Sequence, residues 1–125
     1  MSIIDHANIP VADLDRARRF YEAILRTLGY RPFGQDGRAF GFGRANWNFG
    51  VVETPPPFPT LHVAFVADGR QQVEEFFAAA LREGGRSNGE PGLRGIYDPH
   101  YYAAFVLDPD GHNIEAVFRG EEGAV

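Results

Sequence analysis

The chain is written twice, and that repeat is the strongest constraint on its fold. His6-Ala7-Asn8-Ile9-Pro10-Val11-Ala12-Asp13 opens one half, and His62-Val63-Ala64-Phe65-Val66-Ala67-Asp68 opens the other. Each opening runs into an amphipathic stretch with an aromatic pair, Phe20-Tyr21 and then Phe76-Phe77. Each stretch meets glycine, at Gly29 and at Gly84-Gly85. Each half closes on an apolar strand carrying one acid, Val51-Val52-Glu53 and Asn113-Ile114-Glu115-Ala116-Val117. A repeat of this kind supplies one His from a first strand and one Glu from a last strand, twice. Two imidazoles with one or two carboxylates are the donor set of a divalent metal site.

Alternation and helical spacing set the elements. Residues 3–9 read as a strand with Ile4, His6 and Asn8 on one face. Asp13 reads as the N-cap of a helix that buries Leu14, Ala17, Phe20, Tyr21, Ile24, Leu25 and Leu28, and Gly29 ends it. Strands follow at 30–33, 38–42 and 47–53, the last placing Phe49, Val51 and Glu53 on one face. Four prolines within residues 54–59 exclude a helix or a central strand there, so 54–60 reads as a linker. In the second half, residues 61–67 read as a strand with His62, Ala64 and Val66 on one face. Asp68 reads as a cap for a helix burying Val73, Phe76, Phe77, Ala80 and Leu81. A short strand at 86–88, a Gly- and Pro-rich loop at 89–100 at the cleft mouth, and strands at 101–107 and 113–118 complete it. Asp108-Pro109-Asp110-Gly111 is a tight turn by residue type, and His112 after it reads as solvated. The expectation is one α+β domain over 1–125, built of two βαβββ modules, about 3–53 and 61–118. Their sheets curl as a mixed sheet around a cleft.

Composition narrows the function. With 125 residues, a net charge of −5 and acids and bases interspersed, nothing resembles the basic face of a nucleic-acid binder. No apolar run reaches the roughly 18 residues of a membrane span, and no secretory leader is visible. The absence of cysteine excludes disulfides, thiolate metal sites and a Cys nucleophile. The cytoplasm is the default compartment.

In order along the chain, these motifs resemble the vicinal oxygen chelate superfamily, which includes glyoxalase I, bleomycin-binding proteins, fosfomycin-resistance transferases and extradiol dioxygenases. The resemblance spans roughly Ile3 to Phe118. It rests on His6 with Val11-Ala12-Asp13, on Phe20-Tyr21 with Leu28-Gly29-Tyr30, on His62, and above all on Asp108-Pro109-Asp110-Gly111-His112-Asn113-Ile114-Glu115. It implies a metal held by His6, His62 and Glu115, with Glu53, at the place of a further Glu ligand in glyoxalase I, as a fourth ligand or as a catalytic general base. Iron, manganese, nickel, cobalt and zinc all suit such donors. The metal would bind a small oxygen-rich substrate and stabilise an anion formed from it.

Departures from the relatives argue against two activities. Pro10 and Phe58 stand where glyoxalase I carries glutathione-anchoring basic residues. Asn8, Ala103 and Phe105 stand where fosfomycin transferases carry Thr, Ser and Tyr. The resulting expectation is a metal-dependent lyase, isomerase or dioxygenase, with Tyr101 as a donor to a bound oxyanion and Asn8, Trp47, Phe49 and Tyr102 against the substrate. The alternative is a metal-free module that sequesters a small molecule, as bleomycin-binding relatives do. A homodimer is expected either way, with the site inside one chain or shared between two. In the shared case His6 and Glu53 come from one chain, and His62 and Glu115 from the other.

Overall fold

The computed structural model describes residues 4–120. Its elements are β1 (Ala7–Val11), α1 (Leu14–Arg26), β2 (Arg31–Asp36), β3 (Ala39–Gly43), β4 (Phe49–Glu53), β5 (His62–Val66), α2 (Arg70–Arg82), β6 (Arg86–Leu93), β7 (Tyr101–Leu107) and β8 (Asn113–Arg119). They form two four-stranded sheets, ordered β1-β4-β3-β2 and β5-β8-β7-β6. In each sheet the first strand pairs parallel with the last and the other pairings are antiparallel. This is the expected α+β architecture with mixed sheets, and the two sheets are not closed on each other.

Helix α1 forms for the reasons the sequence advertises. The Asp13 carboxylate accepts from the Arg16 amide, and Asp15 and Arg26 complement the helix dipole at its two ends. Gly29 follows at φ +82°, a backbone that suits glycine. Helix α2 starts differently from expectation. Its N-cap is Gly69, with no side-chain cap, and Asp68 instead has its backbone amide held by the Gln72 side chain. Strand β1 begins later than expected, at Ala7, which leaves Ile4 to His6 outside it. Residue 3, read as the start of that strand, lies outside the described residues. β6 runs on to Leu93 through a stretch that reads as loop. Register shifts around Gly89 let this edge strand absorb glycine and proline while still pairing with β7.

One core serves both halves. The inward faces of the two sheets and the two helices, which pack on each other, form a single buried cluster. Phe49 links the halves, its ring 5.2 Å from Tyr21 and 5.0 Å from Phe65.

A buried polar clasp adds to this. His112, expected in solvent, is fully buried. Its Nδ1 accepts from the Leu61 amide at 3.0 Å, and its Nε2 donates to the Pro10 carbonyl at 2.6 Å. Asp108 takes the Tyr21 hydroxyl and the amides of Asp110 and His112, while Asp110 accepts from Ala12 and Arg16. The turn therefore fastens the second module to the first strand and helix of the first module. Burial, and then the Asp108 charge, hold the Tyr21 hydroxyl well above its ordinary pKa.

Replacing His112 with Ala orphans a buried amide and a buried carbonyl and leaves a cavity. Chemical denaturation should show a loss of about 2–4 kcal/mol, whereas His100→Ala, at an exposed position, should stay within about 0.5 kcal/mol.

Candidate functional site

Each sheet has one face in the core, so the chemistry must lie on the other. Period-2 alternation decides which side chains appear there. On the first sheet, Ile9 and Val11 of β1 point to the core, so Asn8 and Pro10 turn the other way, and His6, just before the strand, borders the same outer cavity as Asn8. Phe40 and Phe42 of β3 and Phe49 and Val51 of β4 also take the core side. That leaves Ala39, Gly41, Gly50 and Val52 on the outer face beside Asn8 and Pro10.

At Gly41 and Gly50 this floor has no side chain, and Trp47 lies there. A Cβ added to Gly41 would sit 2.1 Å from the Trp47 ring, and one on Gly50 would sit 2.2 Å from Asn8 Oδ1 and 2.7 Å from Trp47 Nε1. The indole N–H donates to Asn8 Oδ1 at 3.2 Å. Asp5, His6, Asn8, Asp36 and Trp47 border an open cavity of about 650 Å³ on this face. His6 is exposed there, its Nδ1 2.8 Å from the Asp5 carboxylate.

On the second sheet the outer face carries His62, Ala64 and Val66 of β5, Asn113, Glu115 and Val117 of β8, and Tyr101, Ala103 and Phe105 of β7. Glu115 is 1% exposed. One of its oxygens accepts the Tyr101 hydroxyl, and the other lies 2.8 Å from His62 Nε2. A buried carboxylate needs such partners, because desolvation alone would make its charge costly. Tyr101, Ala103 and Val117 pack as a small apolar cluster around this pair, with Phe105 against them. Burial first, then the hydrogen bond to Glu115, push the Tyr101 hydroxyl up to about 12.

The remaining expected site residues fall elsewhere. Glu53 shares the core-side face of β4 with Phe49 and Val51, and its Oε1 accepts from the Leu14 amide at 3.0 Å, holding the first turn of α1. Phe49 is core. Tyr102 points to the helix side, where its hydroxyl donates to Glu74 and Arg70 covers its ring. Among the described residues no three His, Cys, Asp or Glu side chains gather as a metal-holding group, so one chain does not bring His6 to the His62–Glu115 pair.

Three features escape a reading of the sequence. Tyr97 and Arg119 flank the Tyr101 ring, at 5.0 and 4.8 Å. Phe105 lies 6.1 Å from the His62 ring, and Arg94 sits over Phe105. The glycine floor is the third. Two of these leave a signal in the chain. Phe105 stands four residues after Tyr101, which places both on one strand face, and glycines inside strands mark a close approach.

Comparison with known proteins now bears on this geometry. The model of the Glyoxalase/Bleomycin resistance protein/Dioxygenase superfamily matches residues 3–116. The chain belongs to this superfamily. A crystal structure of a glyoxalase/bleomycin resistance protein from Albidiferax ferrireducens T118 is 30% identical, with a TM-score of 0.83 over 95% of this chain and 100% of that one. A superfamily enzyme from Burkholderia phytofirmans PsJN shares the fold at 16% identity, with a TM-score of 0.71 over 95% of this chain and 100% of that one. The uncharacterized protein YqjT of Bacillus subtilis (strain 168) is 28% identical over 90% of this chain and 95% of its own length. No helix among the described residues is long and apolar enough to cross a membrane.

Two outcomes follow for this superfamily member. Gly41→Ala should lift the indole from the sheet, and because Trp47 is the only tryptophan, its fluorescence should shift to the red and quench more readily with acrylamide. The raised Tyr101 and Tyr21 hydroxyls mean that the unfolded chain loses these protons first as pH rises. Their stabilisation is whole below pH about 10, the unfolded tyrosine value, and for Tyr101 it is lost as pH climbs towards about 12. Denaturant midpoints should fall across that interval, and less steeply in Tyr101→Phe.

Proposed function

We propose that this chain is a metal-dependent enzyme of its superfamily, a lyase, isomerase or dioxygenase acting on a small oxygen-rich molecule in the cytoplasm. The observation that carries the reading is the His62–Glu115 pair on the outer face of the second sheet, the imidazole half-exposed and the carboxylate buried. His62 Nε2 and Glu115 Oε1 lie 2.8 Å apart, so an imidazole and a carboxylate converge at one place on the sheet. The chemistry of the donors, one imidazole and one carboxylate, suits iron, manganese, nickel, cobalt or zinc.

A third donor has to come from outside this pair. His6 is the candidate, supplied by a second copy of the chain in a homodimer. It stands just before β1 beside the outer face of the first sheet, and its imidazole is exposed. A divalent metal there would polarise the substrate's oxygens and favour loss of a neighbouring proton. Glu115 and His62 would hold it, Tyr101 would fix the carboxylate, and the hydroxyl-free walls at Ala103 and Phe105 would exclude water around them. Asn8 and Trp47, on the face that carries His6, would contact the substrate.

A second reading is supported by the first sheet alone. The indole on its glycine floor beside an open cavity suits a metal-free module that binds a small molecule. The two readings separate on metal content. Protein purified without chelator or nickel resin should carry about one divalent ion per chain by inductively coupled plasma mass spectrometry, and His62→Ala should lose it. No metal, and none taken up on titration with the five candidates, would leave the binding module standing. Sharing across the dimer has its own check. Mixing His6→Ala with His62→Ala chains should restore one metal site per mixed dimer, whereas sites confined to single chains would stay empty.

A further inference from the structure

We propose that Arg94 is an anion-binding residue, and that the outer face of the second sheet takes the carboxylate of a small organic acid there. Such a contact needs no metal, so it is compatible with either reading above. The Arg94 guanidinium lies over the Phe105 ring, 5.4 Å from its centroid. Gly89 and Gly92, which pair with Phe105 and Ala103, make room for it. A Cβ at Gly92 would stand 3.1 Å from Nη1, and one at Gly89 would stand 3.2 Å from Nη2. The Arg94 backbone is fixed as well. Its amide donates to the Tyr101 carbonyl at 2.7 Å, and its carbonyl accepts from the Tyr97 amide at 3.0 Å. Nη2 donates to the Glu90 carbonyl at 2.7 Å, and no other described residue takes an N–H of this guanidinium. Arg16, Arg18, Arg26 and Arg44 each pair with an acid, and Arg94 does not. Stacking occupies the face of a guanidinium and leaves its edge, a planar fork that matches a carboxylate. Arg94 is half-buried, so its charge is screened less than on an open surface. The acid of this face, Glu115, is buried and already bonded through its two oxygens to Tyr101 and His62. The half-exposed His62 ring, 6.1 Å from Phe105, offers the body of the ligand a flat surface. One guanidinium matches one negative charge. A phosphate would bring a second that Arg94 alone does not match, since Arg119 stacks on Tyr101, four residues away along β7.

The test is benzoate binding to the whole protein, followed by heteronuclear NMR at low ionic strength, with benzamide as the neutral counterpart. Benzoate should bind saturably, move the Gly89 and Gly92 amide signals and the Phe105 and His62 ring signals, and bind more tightly than benzamide. Arg94→Gln should weaken it by about 10–100-fold, the range for a charge-assisted hydrogen bond. Arg94→Lys keeps the charge but loses the fork, and should weaken it less. Gly92→Ala pushes the guanidinium from its seat with the charge retained. It should also weaken binding, and it serves if Arg94→Gln disturbs the loop. Arg38→Gln, at an exposed arginine between β2 and β3, should change nothing. Equal binding of benzoate and benzamide, no saturable benzoate binding, or an affinity unchanged by both Arg94→Gln and Gly92→Ala would overturn the role of Arg94. An equal loss in Arg38→Gln would overturn it too, as a response to net charge alone. Tighter binding of phenyl phosphate than of benzoate would overturn the choice of a carboxylate. Each readout is made without added metal, so the metal reading stands or falls separately.

Discussion

A sheet covered by a helix on one face only has a second face that must find its own cover. This constraint acts on both halves of the chain, and they meet it differently. The first sheet leaves glycine at two central positions of its outer face, Gly41 and Gly50, and lays a single indole over them. The second fills its outer face with Tyr101, Ala103, Phe105 and Val117, and sets one carboxylate among them. The chemical asymmetry of the two faces follows. One is a flat aromatic surface next to an exposed imidazole, and the other is a dry cluster around a bonded acid. A ligand lying between two such faces would meet stacking from one side and charge from the other.

The two halves are held in one arrangement by groups that have no part in that chemistry. The Asp108 to His112 turn is a compact set of hydrogen bonds that crosses from one module to the other. Buried polar networks of this kind are costly when half satisfied and specific when complete. Here Asp108 and His112 have partners on both modules, so the relative placement of the sheets is defined by directional bonds as well as by the shared apolar core.

Much of this is legible in the sequence. The repeat, the alternation of apolar residues and the cap at Asp13 announce two βαβββ units, because each is a local pattern set by a few neighbouring side chains. The His62 and Glu115 positions are legible for the same reason, since alternation places them on the outer face and the repeat pairs their strands. His112 misleads because its environment is made by Pro10 and Leu61, far away in the chain, and a polar residue after a turn looks solvated from local context alone. The full length of β6 is hidden because glycine and proline mark a loop by residue type, whereas an edge strand with bulges tolerates both. Glu53 shows how a pattern can hold while its use differs. It does share a face with Phe49 and Val51, yet that face is the helix side, where the carboxylate serves the start of α1. Joining the two modules' ligands is beyond local pattern altogether, since it depends on how whole sheets, or whole chains, are placed.

The parallel pairing of β5 with β8 has a consequence for errors in assembly. His62 stands opposite Asn113 and Ala64 opposite Glu115, while Val63 and Phe65 face the core. A slip of one residue would exchange the two sets, because side chains alternate with a period of two. Phe65 would leave its place against Phe49 and Tyr30, and the imidazole would be driven into the apolar interior. The misregistered chain would therefore be poorly folded and also without its His62–Glu115 pair. Protein quality control that removes unstable chains would, by the same act, remove those unable to bind, so a cell would hold few well-folded copies with a broken site of this origin.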